Sequence, residues 1–459
     1  MAIESDVLVV GGGLAGVASA VAAAREGADV RLLAHKKSTL RQASGLIDGL
    51  GYVPPRTPRG DHAEYLSQER QDVRTVRDER GDYQGPLRTP YEGFDALPAD
   101  HPYSILGPDA LRDGLALFDD LVGEMYVGSH TERNALVPTF GGTVKPTARY
   151  PKSAAAGLAS DERPMLLVGF RSLTEFDAGM VADQLAASGV PFDVRGVEVA
   201  FAEPFPTDVK LTRIVRAFDH DEVIDGTPAR RALAASVEPH VENAERIGFP
   251  AVLGDDAAAA VREDLGDRLG ADVFEIPMGP PSVPGLRLED QLFEALDADG
   301  VRLETGVPAV GYEAAGDAVE SVIVDRMGSD VPYAADAVVL ATGGLVGKGL
   351  NSDREAVWEP IFDCHVPHPA DRYDWFVDDA FGDQPYARFG VQPDASMRPL
   401  DADGQPEFGN LFAAGAVVGG ADVAREKSAS GVSLATGMVA GRNAAKASEN
   451  GVDRTEGTR

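Results

Sequence analysis

A single cysteine in 459 residues is the first constraint. Cys364 alone makes no intrachain disulfide, no CxxC redox pair and no iron–sulfur cluster, which takes several thiolates. If such a chain moves electrons, it needs a carrier other than its own sulfur. Lysine is scarce too: 8 Lys stand beside 34 Arg, and these 42 basic residues face 74 Asp and Glu, for a formal charge of −32. A surface that negative repels phosphate backbones and anionic headgroups, which argues against nucleic-acid binding and against charge-driven membrane binding. The same excess points to a cytoplasm of very high salt, where self-repulsion is screened and dense carboxylates keep the surface hydrated. Long apolar runs are missing as well, and no stretch approaches the length needed to cross a bilayer. The start, Met1-Ala2-Ile3-Glu4-Ser5-Asp6, passes directly into a strand without a basic and then apolar leader. The expectation is a large acidic globular protein, soluble and intracellular, built as two or more interleaved domains.

What is present begins at the N-terminus. Asp6-Val7-Leu8-Val9-Val10 is a short apolar run of the kind that forms a strand buried on both faces. Gly11-Gly12-Gly13-Leu14-Ala15-Gly16 follows at once, then an Ala-rich helical stretch from Val17 to Glu26 and a second strand, Asp29-Val30-Arg31-Leu32-Leu33. This is a βαβ unit with G-x-G-x-x-G at its first turn. Gly11 permits the tight turn, Gly13 lets backbone amides approach a phosphate, and Gly16 lets the helix pack near the strand. The phosphate then lies on the positive end of the helix.

An absence follows. Rossmann-type sites place an Asp or Glu near the end of the second strand to accept hydrogen bonds from the adenosine ribose. Here Ala34 holds that place, followed by His35, Lys36 and Lys37. Either the ligand has no adenosine half, as in FMN, or it carries a 2′-phosphate, as in NADP; the lysines also suit an ordinary solvated loop. Two further segments favour a flavin. Ala337-Val338-Val339-Leu340 leads into the turn Ala341-Thr342-Gly343-Gly344, and Asn410-Leu411-Phe412-Ala413-Ala414 leads to Gly415. The second continues through Gly419-Gly420 to Ser430-Gly431-Val432 and a small-residue helix to about Ala445. A helix start aimed into a site offers unpaired amides to the negative edge of a reduced flavin.

Together these segments resemble the flavoproteins of the glutathione reductase group, and within it the succinate dehydrogenase and fumarate reductase type. A closer resemblance is to the B-subunit family of anaerobic glycerol-3-phosphate dehydrogenases, of haloarchaeal type. It is carried by the glycine loop, by Ser44-Gly45-Leu46-Ile47-Asp48, by Ile247-Gly248-Phe249-Pro250-Ala251-Val252-Leu253-Gly254, and by Phe274-Glu275-Ile276-Pro277 with Pro280-Pro281-Ser282-Val283-Pro284-Gly285. It ends with Asn410 to Gly420 and Arg425-Glu426-Lys427-Ser428. The resemblance implies noncovalent FMN on this chain, FAD being the alternative. It also implies two partners in one complex: an FAD-bearing subunit, and an iron–sulfur subunit that links the complex to the membrane and its quinone pool. The complex oxidises sn-glycerol 3-phosphate to dihydroxyacetone phosphate. The chain itself would lie at the inner face of the membrane through a partner, without a span of its own. The R-x-G-G-N-S run of the fumarate reductase type is not found, and Ser428-Ala429-Ser430-Gly431-Val432-Ser433 stands in its neighbourhood. A covalent flavin histidine is likewise unassigned. Two other readings stay open: a self-sufficient flavin oxidoreductase of the fumarate reductase type, and a non-catalytic assembly subunit.

The expected fold is α/β: a Rossmann-like flavin-binding domain of glutathione reductase type, discontinuous in sequence, with an inserted α+β cap. The expected divisions are 1–150, flavin-binding with loops over the site at 53–104; 151–284, cap; 285–450, flavin-binding; and 451–459, a flexible tail. The expected cofactor residues are Gly11, Gly12, Gly13, Leu14, Ala15, Gly16, Ser44, Gly45, Thr342, Gly343, Gly344, Gly415, Ser430, Gly431 and Val432. A phosphorylated substrate needs cations, for which Arg425 and Lys427 beside the last helix stand first, and Lys145, Arg149, Lys152 and Arg171 in the cap second. Candidate bases are His240, His365 and His368. The spacing His365-Val366-Pro367-His368 suits a loop better than a metal pair, so no metal is expected.

Overall fold

A computed structural model describes residues 3–36, 38–54, 84–200, 210–380 and 382–456. The chain runs β1 (Ile3–Val10), α1 (Leu14–Arg25), β2 (Val30–Ala34), α2 (Pro108–Val122), β3 (Met165–Phe170), α3 (Ala178–Ala187) and β4 (Val194–Val199). It continues with α4 (Leu211–Asp219), α5 (Ala229–Val237), β5 (Arg246–Pro250), α6 (Ala258–Leu269), β6 (Asp272–Ile276) and α7 (Val283–Ala298). Strands β7 (Arg302–Thr305), β8 (Ala309–Ala315), β9 (Ala318–Arg326), β10 (Ser329–Leu340) and β11 (Leu411–Ala413) precede the last helix, α8 (Ala429–Glu456). These elements fall into two compact units: 1–36, 49–117 and 299–459 in the first, 37–48 and 118–298 in the second.

The first unit is built on a seven-stranded mixed sheet in the order β7-β2-β1-β10-β9-β8, with β11 added beside β10. Strands β7, β2, β1, β10 and β11 run parallel, and β8 and β9 are antiparallel additions. Parallel strands are covered on both faces, which explains why Val7-Leu8-Val9-Val10 and Val338-Val339-Leu340 are almost wholly buried. Asn410 fixes the register at β11, since its amide nitrogen donates to Val319 O and Asp336 O, both at 2.9 Å, and its side-chain oxygen accepts from Val319 N at 2.8 Å. Helix α1 owes its alanines to a neighbour. A Cβ at Gly437 of α8 would stand 2.5 Å from Ala15 O, and one at Gly441 2.1 Å from Ser19 O. Small residues on both helices let the backbones touch, and this close approach sets the start of α1 against the Gly437 turn of α8.

The second unit carries a four-stranded sheet in the order β6-β5-β3-β4, all parallel. This corrects the expected α+β cap: the unit is α/β, with only short antiparallel hairpins beside the sheet. The signal lay in Met165–Phe170 and Arg246–Pro250, whose residues are all buried, as strands of a parallel sheet must be. The bounds differ as well. Residues 118–150 and 285–298 group with the second unit, because the hairpins between Tyr126 and Pro151 and helix α7 pack there. Buried Arg246 holds the turn before β3, donating to Asp161 O at 2.8 Å and to Leu158 O at 3.0 Å. At the chain's end the last helix runs to Glu456. Residues 457–459 and most of the expected loop segment 53–104, namely 55–83, lie outside the described residues.

Candidate functional site

The site is assembled at the carboxyl ends of β1, β10 and β11, where ligands bind in open parallel sheets. Each of these strands ends in a glycine turn. At Gly11 the backbone has φ +126°, and a Cβ there would lie 2.1 Å from Ala341 O and 3.0 Å from Thr342 N. The first turn is therefore seated on the second. A Cβ at Gly16 would meet Gly11 O at 1.8 Å, so no other residue lets α1 begin so close to the strand. The third turn closes on the other two: at Gly415, φ +74°, a Cβ would stand only 2.6 Å from Ala15 Cβ, and one at Gly344 would stand 2.6 Å from Ala416 O. Three segments distant in sequence thus converge, and Leu14 and Ala15 lend backbone to the turn while their side chains are buried.

The polar groups around these turns fit a phosphate-bearing cofactor. Gly13 caps α1 in extended conformation with no side chain on the first-turn amides and no acidic residue in that turn. A helix start leaves its first amides for an external acceptor, and an anion is the natural one. Thr342 Oγ1 is buried without a hydrogen-bond partner among the described residues. Such a hydroxyl costs free energy unless a ligand satisfies it. The turn after β11 is pinned from below by Thr436, whose Oγ1 accepts from Gly415 N at 2.8 Å.

The start of α8 is framed differently. Buried Glu426 accepts from His101 Nε2 at 3.0 Å, Ser428 Oγ at 2.9 Å and Asp422 N at 3.0 Å. His101 Nδ1 accepts from Tyr103 N at 3.0 Å, which leaves the ring proton on Nε2, facing the carboxylate. The backbone oxygen of Glu426 takes the amides of Gly51 and Tyr52 at 2.8 and 2.9 Å. Ser430 is half-buried at the helix start, whereas Gly431 and Val432 are buried. A Cβ at Gly431 would stand 2.2 Å from the Tyr103 hydroxyl, which itself donates to Gly49 O at 2.6 Å. Gly431 and Val432 hold the helix in place, and Ser430 is the half-buried residue at its tip. Neither His101 nor Thr436 was expected from the sequence. The carboxylate that His101 meets lies 325 residues away, and no local pattern marks the pair.

The remaining candidates separate. Ser44 and Gly45 belong to the second unit, where Tyr126 Oη donates to Gly45 O at 2.8 Å and Ser44 Oγ accepts from Leu46 N. Lys145 is paired with buried Asp48 at 2.8 Å and Arg149 with Asp119 at 2.6 Å, so both are committed within that unit, while Lys152 and Arg171 are exposed. Arg425, in the short helix Val423–Glu426 before α8, lies 3.7 Å from Asp383. Lys427 donates to Ala424 O at 2.7 Å from a left-handed backbone, φ +53°. His368 has both ring nitrogens against backbone, Nδ1 at Val366 O and Nε2 at Val357 N, and His365 and His240 are exposed. Burial, with Glu359, Glu407 and Asp363 nearby, pushes the Cys364 thiol up, so it is inert. At the end of β2, Ala34 is buried and Lys36 exposed; Lys37 lies outside the described residues. The acid on the adjoining strand, Glu304, is engaged by Arg31, Arg326 and the Tyr333 hydroxyl.

The sequence profile of the FAD binding domain family matches residues 6–432. A Halobacterium salinarum chain, named as the probable B subunit of an anaerobic glycerol-3-phosphate dehydrogenase, is 54% identical over 451 residues, 97% of this chain and 99% of its own. A Yersinia enterocolitica chain, named as the B subunit of an anaerobic glycerol-3-phosphate dehydrogenase, is 27% identical over 446 residues, 95% of this chain and 97% of its own. Among solved structures, the open conformation of a flavocytochrome c3 fumarate reductase is similar over 97% of this chain and 79% of its own, at 13% identity and a TM-score of 0.42. Among the described residues, no helix is long and apolar enough to cross a membrane.

Proposed function

This chain belongs to the FAD binding domain family and, within it, to the B-subunit proteins of anaerobic glycerol-3-phosphate dehydrogenase, and from that premise we propose that it is the FMN-bearing relay subunit of such a complex. Its substrate reaction is the oxidation of sn-glycerol 3-phosphate to dihydroxyacetone phosphate. An FAD-bearing subunit lies upstream, and an iron–sulfur subunit leads to the quinone pool. The observation that carries the reading is the convergence of the Gly11, Thr342 and Gly415 turns around an uncapped helix start and an unsatisfied hydroxyl. The flavin supplies, when bound, two-electron acceptance from a donor and release of single electrons. Amides of Gly12 to Gly16 would hold the phosphate, Thr342 Oγ1 would donate to the cofactor, and the start of α8 would supply a positive dipole end to the reduced ring.

FMN rather than FAD is favoured by Ala34, which leaves a ribose hydroxyl without a carboxylate, and by Glu304, whose acceptors are taken. The single cysteine places any iron–sulfur relay on another chain. The acidic excess suits a high-salt cytoplasm, with membrane attachment through the iron–sulfur partner. In this reading the first unit holds the flavin. The test is release of the chromophore by denaturation and its identification by mass. FMN is expected, with little turnover of glycerol 3-phosphate by the chain alone and turnover restored when the FAD-bearing partner is added. FAD removes the argument from Ala34, full turnover alone makes the chain a self-sufficient oxidoreductase, and no chromophore leaves a role in assembly.

A further inference from the structure

The segment between Trp358 and Phe389 departs from the rest of this carboxylate-covered surface. Tyr373 is 74% exposed, and Trp358, Phe376, Val377 and Tyr386 are exposed with it, five of the eleven large apolar side chains so placed among the described residues. Exposed apolar side chains scattered singly need no explanation, but a contiguous group does. Tyr373, Phe376 and Val377 stand together on one turn, and Tyr386 is tied to it through the backbone of Trp375. Trp375 beneath them is buried, donates from Nε1 to Pro369 O at 2.7 Å and meets His368 and Phe389 edge-on. Its carbonyl takes the Tyr386 amide at 2.9 Å, which ties the two halves of the loop. Gln384 braces the bend between them, accepting from Val377 N at 3.0 Å and donating to Asp379 O at 2.6 Å. Tyr373 and Phe376 lie edge to face, with centroids 6.4 Å apart.

Around the apolar tips stand exposed Asp371, Asp374, Asp378 and Asp379. The patch also adjoins the candidate site. Arg388 O accepts from Gly420 N at 2.9 Å, and Asp383 is shared between Arg388, at 2.8 Å, and Arg425, at 3.7 Å. It therefore borders the turn that runs from Gly415 to α8.

We propose that this aromatic platform is the docking surface for another subunit of the same complex, one presenting an apolar centre ringed by Lys and Arg. The proposal rests on the subunit reading above. Charge chooses among occupants. A second copy would bring the same aspartates face to face, and an anionic membrane would be repelled by them, whereas a basic rim pairs with them at contact. Aromatic anchors set in a polar rim are the side chains that carry most of the energy of such interfaces. A partner seated here would lie beside the segment Gly415–Gly420 that leaves the third turn.

The test co-expresses the tagged chain with the FAD-bearing and iron–sulfur partners in high salt and measures how much of each is retained. Tyr373→Ser/Phe376→Ser/Tyr386→Ser is expected to lower retention of one partner by about tenfold or more, a loss of ~1.4 kcal/mol or more. Bound flavin and far-UV dichroism should stay unchanged. Val310→Ser/Met327→Ser, equally exposed on the β8–β9–β10 hairpins, is expected to retain both. Asp374→Lys/Asp378→Lys, which leaves the aromatic tips in place, is expected to lower retention as well. Full retention by the folded triple variant, or by the folded charge reversal, overturns the proposal while leaving the subunit reading intact. So does conversion of a dimeric chain to a monomer, which would assign the platform to a second copy. A wild-type chain that retains neither partner overturns the subunit reading itself.

Discussion

The two helix starts that frame the site, those of α1 and α8, solve opposite problems. Glycine is all that stands at the head of α1, with no side-chain cap and no acid in the first turn. At the head of α8 a buried carboxylate, Glu426, is held by His101, Ser428 and the amide of Asp422. A helix start carries a partial positive charge, and an anion beside it offsets that charge. The α1 start thus keeps its full attraction for a permanent anion such as a phosphate. The α8 start, already partly compensated, suits charge that comes and goes. Substitutions at the two heads should therefore fail in different ways.

The largest effect is expected at α1. Gly16→Val sets a side chain where 1.8 Å separates a Cβ from Gly11 O, and neither backbone can yield without moving β1. Overpacking of this kind costs about 3 kcal/mol or more. The protein should be recovered without chromophore and with a lowered melting temperature. A variant that keeps its flavin would show that α1 does not need its close seat on the strand.

At α8 the expected loss is smaller and of another kind. His101→Leu removes one of three donors to a buried carboxylate, an uncompensated change worth about 2–3 kcal/mol in denaturant unfolding. His101→Leu/Glu426→Leu should regain part of it, because removing both partners leaves no unmatched charge behind. Flavin content should fall less than in Gly16→Val. A double variant less stable than the single would mean that Glu426 acts through its own packing instead of through the pair.

The contrast also separates what the sequence makes legible from what it hides. The α1 device is local: a strand, three glycines at fixed spacing and a helix occupy Asp6 to Arg25, and Gly11 and Gly16 each have a steric reason. The turns at Thr342 and Gly415 are legible as strands that end in glycine, and their meeting follows from parallel pairing of β1, β10 and β11. The His101 network has no such signature, since a lone histidine ahead of Pro102 gives no hint of a glutamate 325 residues on. The parallel sheet of the second unit was obscured by Gly169 and Gly248 inside its strands. There a missing Cβ makes room, for the Glu198 carboxylate in one case and the Phe274 ring in the other. Lys145 and Arg149 read as free cations until Asp48 and Asp119 are seen beside them. Charge pairing across tens of residues is invisible to composition.

Ala34→Glu probes the far end of what α1 holds. It restores a carboxylate at the end of β2, where ribose hydroxyls can donate to it. Hydrogen bonds to charged acceptors contribute about 1.5–3 kcal/mol, so the preference for FAD over FMN should rise by roughly tenfold or more, read as the ratio of chromophores bound from an equimolar mixture. An unchanged ratio would mean that the identity of residue 34 does not select the cofactor.

The smallest effect, and the one with the most telling sign, belongs to Thr342→Val. The Thr342 hydroxyl is buried beside Gly349 with no hydrogen-bond partner among the described residues. Without flavin, that oxygen is a cost: replacing it by a methyl group of similar shape should raise the stability of the cofactor-free protein by about 1 kcal/mol. With flavin bound, the same hydroxyl is expected to be matched, so the variant should bind flavin about fivefold more weakly. The two effects have opposite signs and are read separately, by denaturant unfolding of the cofactor-free chain and by flavin fluorescence titration. A hydroxyl whose removal stabilises the empty protein and leaves flavin affinity unchanged would place the cofactor away from the β10 turn. It would leave α1 and Gly415 to hold the cofactor without the segment that joins them.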